Sequence, residues 1–223
     1  MGNMKKILIF STSYSPFMGG AEIALKEITD RLNRPDFCFV KKGSPFLQKR
    51  ATLFDGFCFD MVTLRFDKTL PKFEKVGNIN VYRVASPKLL FPFLAYFKAL
   101  ALHRKNKYDI VWSMMAGRNG FAALFFKLTH KRVEYLLTLQ EGDRLSYPKE
   151  RAGMLWLFVG GLFKKVFTKA DCIQVISNYL ASWAIDMGYK GEIEVVPNGA
   201  DIKRFENRES RIKNQELRGQ IIY

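Results

Sequence analysis

Short apolar runs alternate with longer stretches of helical spacing along most of this chain, and that rhythm constrains its fold more than any other feature. Lys6 to Phe10 reads as a buried strand. A Ser/Pro/Gly loop follows from Ser11 to Gly20, after which Ala21, Ala24, Leu25, Ile28 and Leu32 recur at the spacing of one helix face. Ile110 to Trp112, Val133 to Leu139, Cys172 to Ile176 and Ile193 to Val196 read as further strands. Helical patterns fall between them at Phe121 to Leu128, Met154 to Phe167 and Tyr179 to Met187, with Ser177 as the N-cap of the last and Gly188 closing it. Strand, loop and helix in repeated order imply parallel strands covered on both faces. The expected fold is α/β, an open, doubly wound, mostly parallel sheet of Rossmann-like kind.

The stretch from Pro35 to Ser86 departs from this rhythm. Phe37-Cys38-Phe39 recurs as Phe57-Cys58-Phe59. One copy is expected to be a strand of the sheet and the other part of an insertion or hairpin, unless the repeat is chance. Asn80 to Val84 reads as a strand that is antiparallel or at an edge. After Asp201 the composition turns polar, so residues 1–202 are expected to form one domain. Residues 203–223 are expected to be a polar tail or the start of a further domain.

A chain of 223 residues that is 48% hydrophobic and holds 20 Phe has ample material for a core. Cys38, Cys58 and Cys172 form no metal or redox spacing, and an odd number argues against a disulfide framework, so reduced thiols are expected. Ile7 to Phe10 is too short for the apolar region of a signal peptide, and Lys6 stands where a myristoylation pattern needs Ser or Thr. The apolar blocks Leu89 to Leu102 and Met154 to Phe163 fall short of the ~20 residues that cross a bilayer. The expected location is cytoplasmic, with the inner membrane face as a peripheral site.

That second expectation comes from charge. Lys and Arg number 36 against 21 Asp and Glu, and 36 − 21 gives +15. The excess is knotted at Lys41-Lys42, Lys49-Arg50, His103 to Lys107, His130 to Arg132 and Lys164-Lys165. Several knots adjoin Phe-, Leu- and Trp-rich stretches, a combination that suits an anionic membrane surface. Nucleic acid attracts the same charge, but no helix-turn-helix, zinc finger or RNA-binding aromatic motif supports it. Any single knot also reads as an ordinary solvated helix face.

Ligands of a doubly wound sheet bind at the carboxyl ends of its strands. The first such loop ends in Gly19-Gly20 just before a helix that carries Glu22, where backbone N–H groups and the helix dipole favour an anion. It is neither the G-x-G-x-x-G fingerprint nor a P-loop, and by itself a Gly-Gly before a helix is more often just a tight turn. Arg118 lies in the loop after the Ile110 strand, as an anion contact or as the partner of a carboxylate. Gln140-Glu141-Gly142-Asp143 follows the Val133 strand, where Glu141 and Asp143 are the catalytic candidates, as general base or as sugar-hydroxyl contacts. A chain-turning Asp143 and a solvated Glu141 are the plain alternative. His103 and His130 lie in basic segments away from these loops, which argues against a Ser/His/Asp triad, and no cluster has metal-ligand spacing.

Three stretches resemble a known family: Ser13 to Glu22, Tyr108-Asp109-Ile110-Val111-Trp112, and Ala170-Asp171-Cys172-Ile173-Gln174-Val175-Ile176-Ser177 with Val196-Pro197-Asn198-Gly199-Ala200-Asp201. Together they resemble the N-terminal domain of a family 4 glycosyltransferase of the two-domain GT-B fold. The resemblance implies transfer of a sugar from a nucleotide-sugar co-substrate to a glycan or lipid-linked acceptor lying against this domain, with no bound cofactor and no metal. It places Gly19, Gly20, Gln140, Ser177, Asn198 and Gly199 at or near the interdomain cleft, and with Glu22 and Arg118 these are the candidates for donor or acceptor binding. Gln140 stands where family members often carry His. In the family, the Pro-Asn-Gly stretch leads into a second domain that holds the nucleotide sugar. The expectation is therefore a half-enzyme, inactive without a separate donor-binding chain or as a fragment of a longer parent. A non-catalytic binder of glycan or anionic lipid, or an inactive remnant, is the alternative.

Overall fold

In the computed structural model, which describes residues 4–32, 56–140 and 153–199, alternating side chains of one central strand set the two faces of the molecule. That strand, β1 (Lys5–Phe10), sends Ile7 and Ile9 to one core and Leu8 and Phe10 to the other. On one side it pairs in parallel with β2 (Phe57–Leu64), and on the other with β5 (Ile110–Met114). Beyond β2 lie β4 (Ile79–Val84) and β3 (Phe73–Val76). Beyond β5 follow β6 (Glu134–Leu139), β7 (Cys172–Val175) and β8 (Glu192–Val195), giving the order β3-β4-β2-β1-β5-β6-β7-β8. Among the described residues only the β3–β4 pair is antiparallel.

The sheet is covered by helix α1 (Gly20–Leu32) on one face and by α2 (Phe91–Asn106), α3 (Arg118–Thr129), α4 (Trp156–Thr168) and α5 (Asn178–Asp186) on the other. Ala21 and Leu25 of α1 pack on Ile7, Ile9, Phe59, Met61 and Trp112. The larger core joins Phe91 and Ala95 of α2, Ala122 and Phe126 of α3, Phe163 and Val166 of α4, and Trp183 of α5. Small residues let α3 and α4 approach closely: a Cβ on Gly120 would stand 2.5 Å from a Val166 methyl. The open, doubly wound, mostly parallel sheet is the expected one.

Asn80 to Val84 differs from expectation. The strand β4 is interior, parallel to β2 and antiparallel only to the true edge strand β3, whose turn is closed by Gly77 at φ +59°. Phe57-Cys58-Phe59 is the start of β2, while its counterpart at Cys38 lies outside the described residues. So do the boundary at 202/203 and residues 203–223. Ser177 caps α5 as expected, accepting a hydrogen bond from Leu180 N–H at 3.4 Å, and Gly188 follows at φ +91°. Cys58 and Cys172 are free thiols. Burial first, and then the Glu192, Glu194 and Asp171 carboxylates, push Cys172 up to about 11, which keeps it protonated.

The motif residues Asp109 and Asp171 hold the sheet at its amino edge. Asp109 accepts the Lys6 N–H at 2.9 Å, tying β1 to β5. Asp171 accepts the Tyr135 N–H at 2.7 Å and Lys127 Nζ at 2.6 Å, tying β6 to β7 and α3. At the same edge Asp60, buried in β2, receives Asn80 Nδ2, Asn106 Nδ2 and the Tyr108 hydroxyl. The His103 and His130 rings, 4.6 Å apart, also lie among these amino-edge connections. The carboxyl edge is thus left to other residues.

Candidate functional site

Strand order reverses between β1 and β5: from β1 the chain runs outward to β2, whereas β5, β6, β7 and β8 extend the other way. A crevice at the carboxyl ends of the strands forms at such a point. The loop from Ser11 to Gly19 fills one wall of it and is held from several directions. Thr12 C=O accepts Leu64 N–H at 3.2 Å and the Thr63 hydroxyl at 3.2 Å. Ser15 C=O accepts Arg83 Nη2 at 2.6 Å, and the same buried guanidinium donates to Pro71 C=O and pairs with Glu74. Within the loop the Ser11 hydroxyl donates to Ser13 C=O at 2.8 Å. Beneath it Tyr14 is buried, and burial together with the Asp30 carboxylate raises its phenol to about 12.

Glu22 completes the clamp. Its carboxylate accepts the Ser13 hydroxyl at 2.6 Å through Oε1 and the Gly19 N–H at 2.9 Å through Oε2. This is the reach-back half of a capping box, made from the third helical position to the residue before the helix. A Cβ at Gly19 would stand 3.0 Å from Glu22 Oε2, so any side chain there would press on the clamp, whereas Gly20 has open space around it. The loop and the segment after β2 border an open, shallow recess of about 520 Å³ lined by Ser13, Phe17, Met18, Gly19 and Phe66.

Across the switch point, Asn119 in the first turn of α3 does what sequence reasoning missed. It is buried, receives the Thr12 hydroxyl at 2.6 Å and donates to Met114 C=O at 2.5 Å, locking the β1 loop to the end of β5. Met115 follows β5 at φ +69°, a sparsely populated conformation for a residue with a side chain, and its N–H is bonded to Thr138 C=O at 2.8 Å. Such cross-strand roles leave no trace in local spacing. Arg118, next to Asn119, is half-buried and has no carboxylate partner among the described residues.

Gln140 sits immediately after β6. Both its amide oxygen and its amide nitrogen are buried, with no hydrogen-bond partner among the described residues. Its strand is braced by a relay in which Trp112 Nε1 donates to Thr138 Oγ1 at 2.8 Å and Thr138 Oγ1 donates to Gln174 Oε1 at 3.0 Å. Glu141 and Asp143 lie outside the described residues. Ser177 follows β7, while Asn198 and Gly199 follow β8 and are exposed. The structure therefore puts Gly19, Gly20, Glu22, Arg118, Gln140, Ser177, Asn198 and Gly199 on one edge, in strand order β1, β5, β6, β7, β8. Among the described residues no three His, Cys, Asp or Glu side chains converge as a metal site would require.

Residues 55–204 match the family model of glycosyltransferase family 4. The chain belongs to that family. Sucrose-phosphate synthase from Thermosynechococcus elongatus aligns over 89% of this chain at a TM-score of 0.60 and 16% identity. A shorter segment of the same enzyme aligns over 96% of this chain and 99% of its own length, at a TM-score of 0.56 and 15% identity. UDP-N-acetylglucosamine 2-epimerase from Rickettsia bellii aligns over 86% of this chain and 44% of its own, at a TM-score of 0.50 and 10% identity. At such identities the likeness is one of fold. The chain spans about half the length of the first of these enzymes, which it covers to 49%. Among curated proteins none matches it.

Proposed function

We propose that this chain is the acceptor-side half of a glycosyltransferase. Residues 1–202 hold a glycan or lipid-linked acceptor at the carboxyl edge, and a second domain or a separate chain presents the nucleotide-sugar donor to it. The observation that carries this reading is the orphaned amide of Gln140. Buried polar groups are ordinarily paired, and one left unpaired costs about 1–3 kcal/mol. A sugar hydroxyl both donates and accepts, so it satisfies the amide oxygen and the amide nitrogen together.

Each of the other residues at this edge has a role. Arg118, without a carboxylate partner among the described residues, faces the charge of the donor phosphates, helped by the amino end of α3. The N–H groups of the first turn of α1 add to this field, while Glu22 keeps the Gly19-Gly20 loop in shape. Glu141 or Asp143, directly after Gln140, acts as the base or holds an acceptor hydroxyl. Asn198 and Gly199 lie where the chain passes toward the donor-binding half, and the basic surface keeps the protein at the anionic inner face of a membrane. The nucleotide sugar is a co-substrate, and the chemistry asks for no further cofactor.

The test is transfer of radiolabelled sugar from a panel of UDP- and GDP-sugars to a membrane lipid extract. The full chain is assayed alone and in the complex isolated from its own cells. The chain alone is expected to be inert and the complex active. Gln140→Ala should lower transfer by about tenfold, the worth of one good hydrogen bond to the substrate, with no fall in thermal midpoint. Transfer by the chain alone would overturn the division of labour. Unchanged transfer in Gln140→Ala would overturn the site, and glycan binding without transfer in the complex would make the protein a binding module instead.

A further inference from the structure

The helices on the two faces of the sheet differ in charge. On α1, Glu22, Glu27 and Asp30 stand against Lys26 and Arg31, and two of the pairs are closed at 2.6 and 3.1 Å. On the opposite face α2, α3 and α4 contain no Asp or Glu at all, against seven basic residues: Lys98, Arg104, Lys105, Arg118, Lys127, Lys164 and Lys165. From Lys75 to Val133 the one carboxylate is Asp109, and it is engaged with Lys5 and Lys6 at the amino edge. Lys164 and Lys165 are exposed with no ion pair among the described residues.

The same layer exposes apolar side chains. Helix α2 is apolar all round in its first two turns: Phe91, Ala95 and Ala99 face the core, while Leu89 (76% exposed), Leu90, Phe93, Leu94 and Phe97 (60% exposed) face outward. A helix hydrophobic on every side belongs in a protein core or in lipid. The outward stripe is continuous with the recess described above. Lys88 Nζ lies 5.7 Å over the Phe66 ring, and Phe66 meets Phe17 edge-on at 6.4 Å, both rings lining the recess. At the start of α4, Met154 is 84% exposed and Leu157 is 80% exposed.

We propose that the α2–α3–α4 face docks on an anionic lipid bilayer. Leu89, Leu90, Phe93, Leu94 and Phe97 enter the headgroup region, the exposed Arg104, Lys105, Lys164 and Lys165 lie at the lipid phosphates, and the recess mouth opens at the bilayer surface. A protein partner or a second copy would fit the apolar stripe. It would not by itself call for three successive helices free of carboxylates, whereas a surface of uniform negative charge does. No helix among the described residues is long and apolar enough to cross a membrane, so the contact is parallel to the surface. The inference concerns the partner of the proposed acceptor site and relies on that site only for what the docking serves.

The full chain is to be sedimented with vesicles of phosphatidylglycerol and phosphatidylcholine, and with vesicles of phosphatidylcholine alone. No sugar nucleotide is present, so the outcome is separate from that of the transfer assay. Binding is expected only to the anionic vesicles, falling as salt rises. Each basic residue near the surface is worth about a fivefold change in partitioning. Lys164→Glu with Lys165→Glu should therefore weaken binding by more than about tenfold. Leu89→Ser with Phe97→Ser should weaken it without altering the salt dependence, and Arg31→Glu, on α1 of the opposite face, should leave it unchanged. All these positions are exposed, and unchanged circular dichroism checks that each variant is folded. Failure to bind anionic vesicles overturns the proposal, as does equal weakening by Arg31→Glu. A concentration-dependent dimer dissolved by Leu89→Ser with Phe97→Ser would give the face to a second copy and would likewise overturn it.

Discussion

A carboxylate at the third position of a helix that takes a serine hydroxyl at 2.6 Å and a glycine N–H at 2.9 Å, as Glu22 does, fixes a loop. Removing it leaves the Gly19 N–H and the Ser13 hydroxyl without their acceptor. Glu22→Ala should accordingly destabilise the fold by about 1–3 kcal/mol, read as a lower urea midpoint, and Glu22→Gln by less. Equal midpoints for wild type and Glu22→Ala would show that the clamp carries no energy. His103 offers a pH-dependent counterpart at the amino edge. Its Nδ1 accepts the Tyr108 N–H at 3.0 Å, and its pKa is lowered from the ordinary 6.5 by burial first, then by His130 and Lys107. With the folded pKa below the unfolded one, the unfolded chain takes up the proton first as the medium is acidified. This contribution to stability is therefore whole above pH 6.5 and is lost as pH falls from 6.5 through the folded pKa. Thermal midpoints measured between neutral and mildly acidic pH should fall in wild type, and less steeply in His103→Gln.

At the scale of elements, packing between α3 and α4 rests on Gly120 against Val166. Gly120→Ala places a methyl 2.5 Å from a Val166 methyl, inside van der Waals contact. It should cost about 1–3 kcal/mol through overpacking, and adding Val166→Ala should restore part of that loss. An additive double mutant would mean the helices simply shift apart. The elements also show what a sequence can disclose. Strands β1, β5, β6, β7 and β8 and helices α1, α3 and α5 were legible because their apolar runs and helical spacings repeat cleanly. Helix α2 was not, since apolar residues on all sides erase its periodicity, and Pro92, which reads as a break, sits in the first turn where proline is tolerated. Strand β3 is four residues of exposed and half-buried alternation, too short to register. In the site, the glycine loop, Arg118, Gln140 and Ser177 could be found from their places after strands. Asn119 and Arg83 could not, because each acts through a partner more than 60 residues away, Thr12 and Ser15 respectively.

Taken whole, the molecule separates its tasks between the two edges of one sheet. Carboxylates hold the amino edge together, with Asp60, Asp109 and Asp171 each bonded to two or more donors. Asp171→Ala should therefore unfold at lower urea by about 1–3 kcal/mol, yet leave ligand binding at the other edge intact. The carboxyl edge carries the recess, the Gln140 amide, which has no hydrogen-bond partner among the described residues, and the guanidinium of Arg118. The sugar chemistry proposed for that edge draws on family membership and on this geometry. Amide hydrogen exchange of the full chain, with and without a panel of nucleotide sugars and lipid-linked glycans, tests it most directly. Protection is predicted around 13–20, 118–120, 139–140 and 177–180, and it should be lost in Gln140→Ala. Protection confined to the amino edge around Lys6, Asp109 and Asp171, or none with any ligand of the panel, would contradict the account.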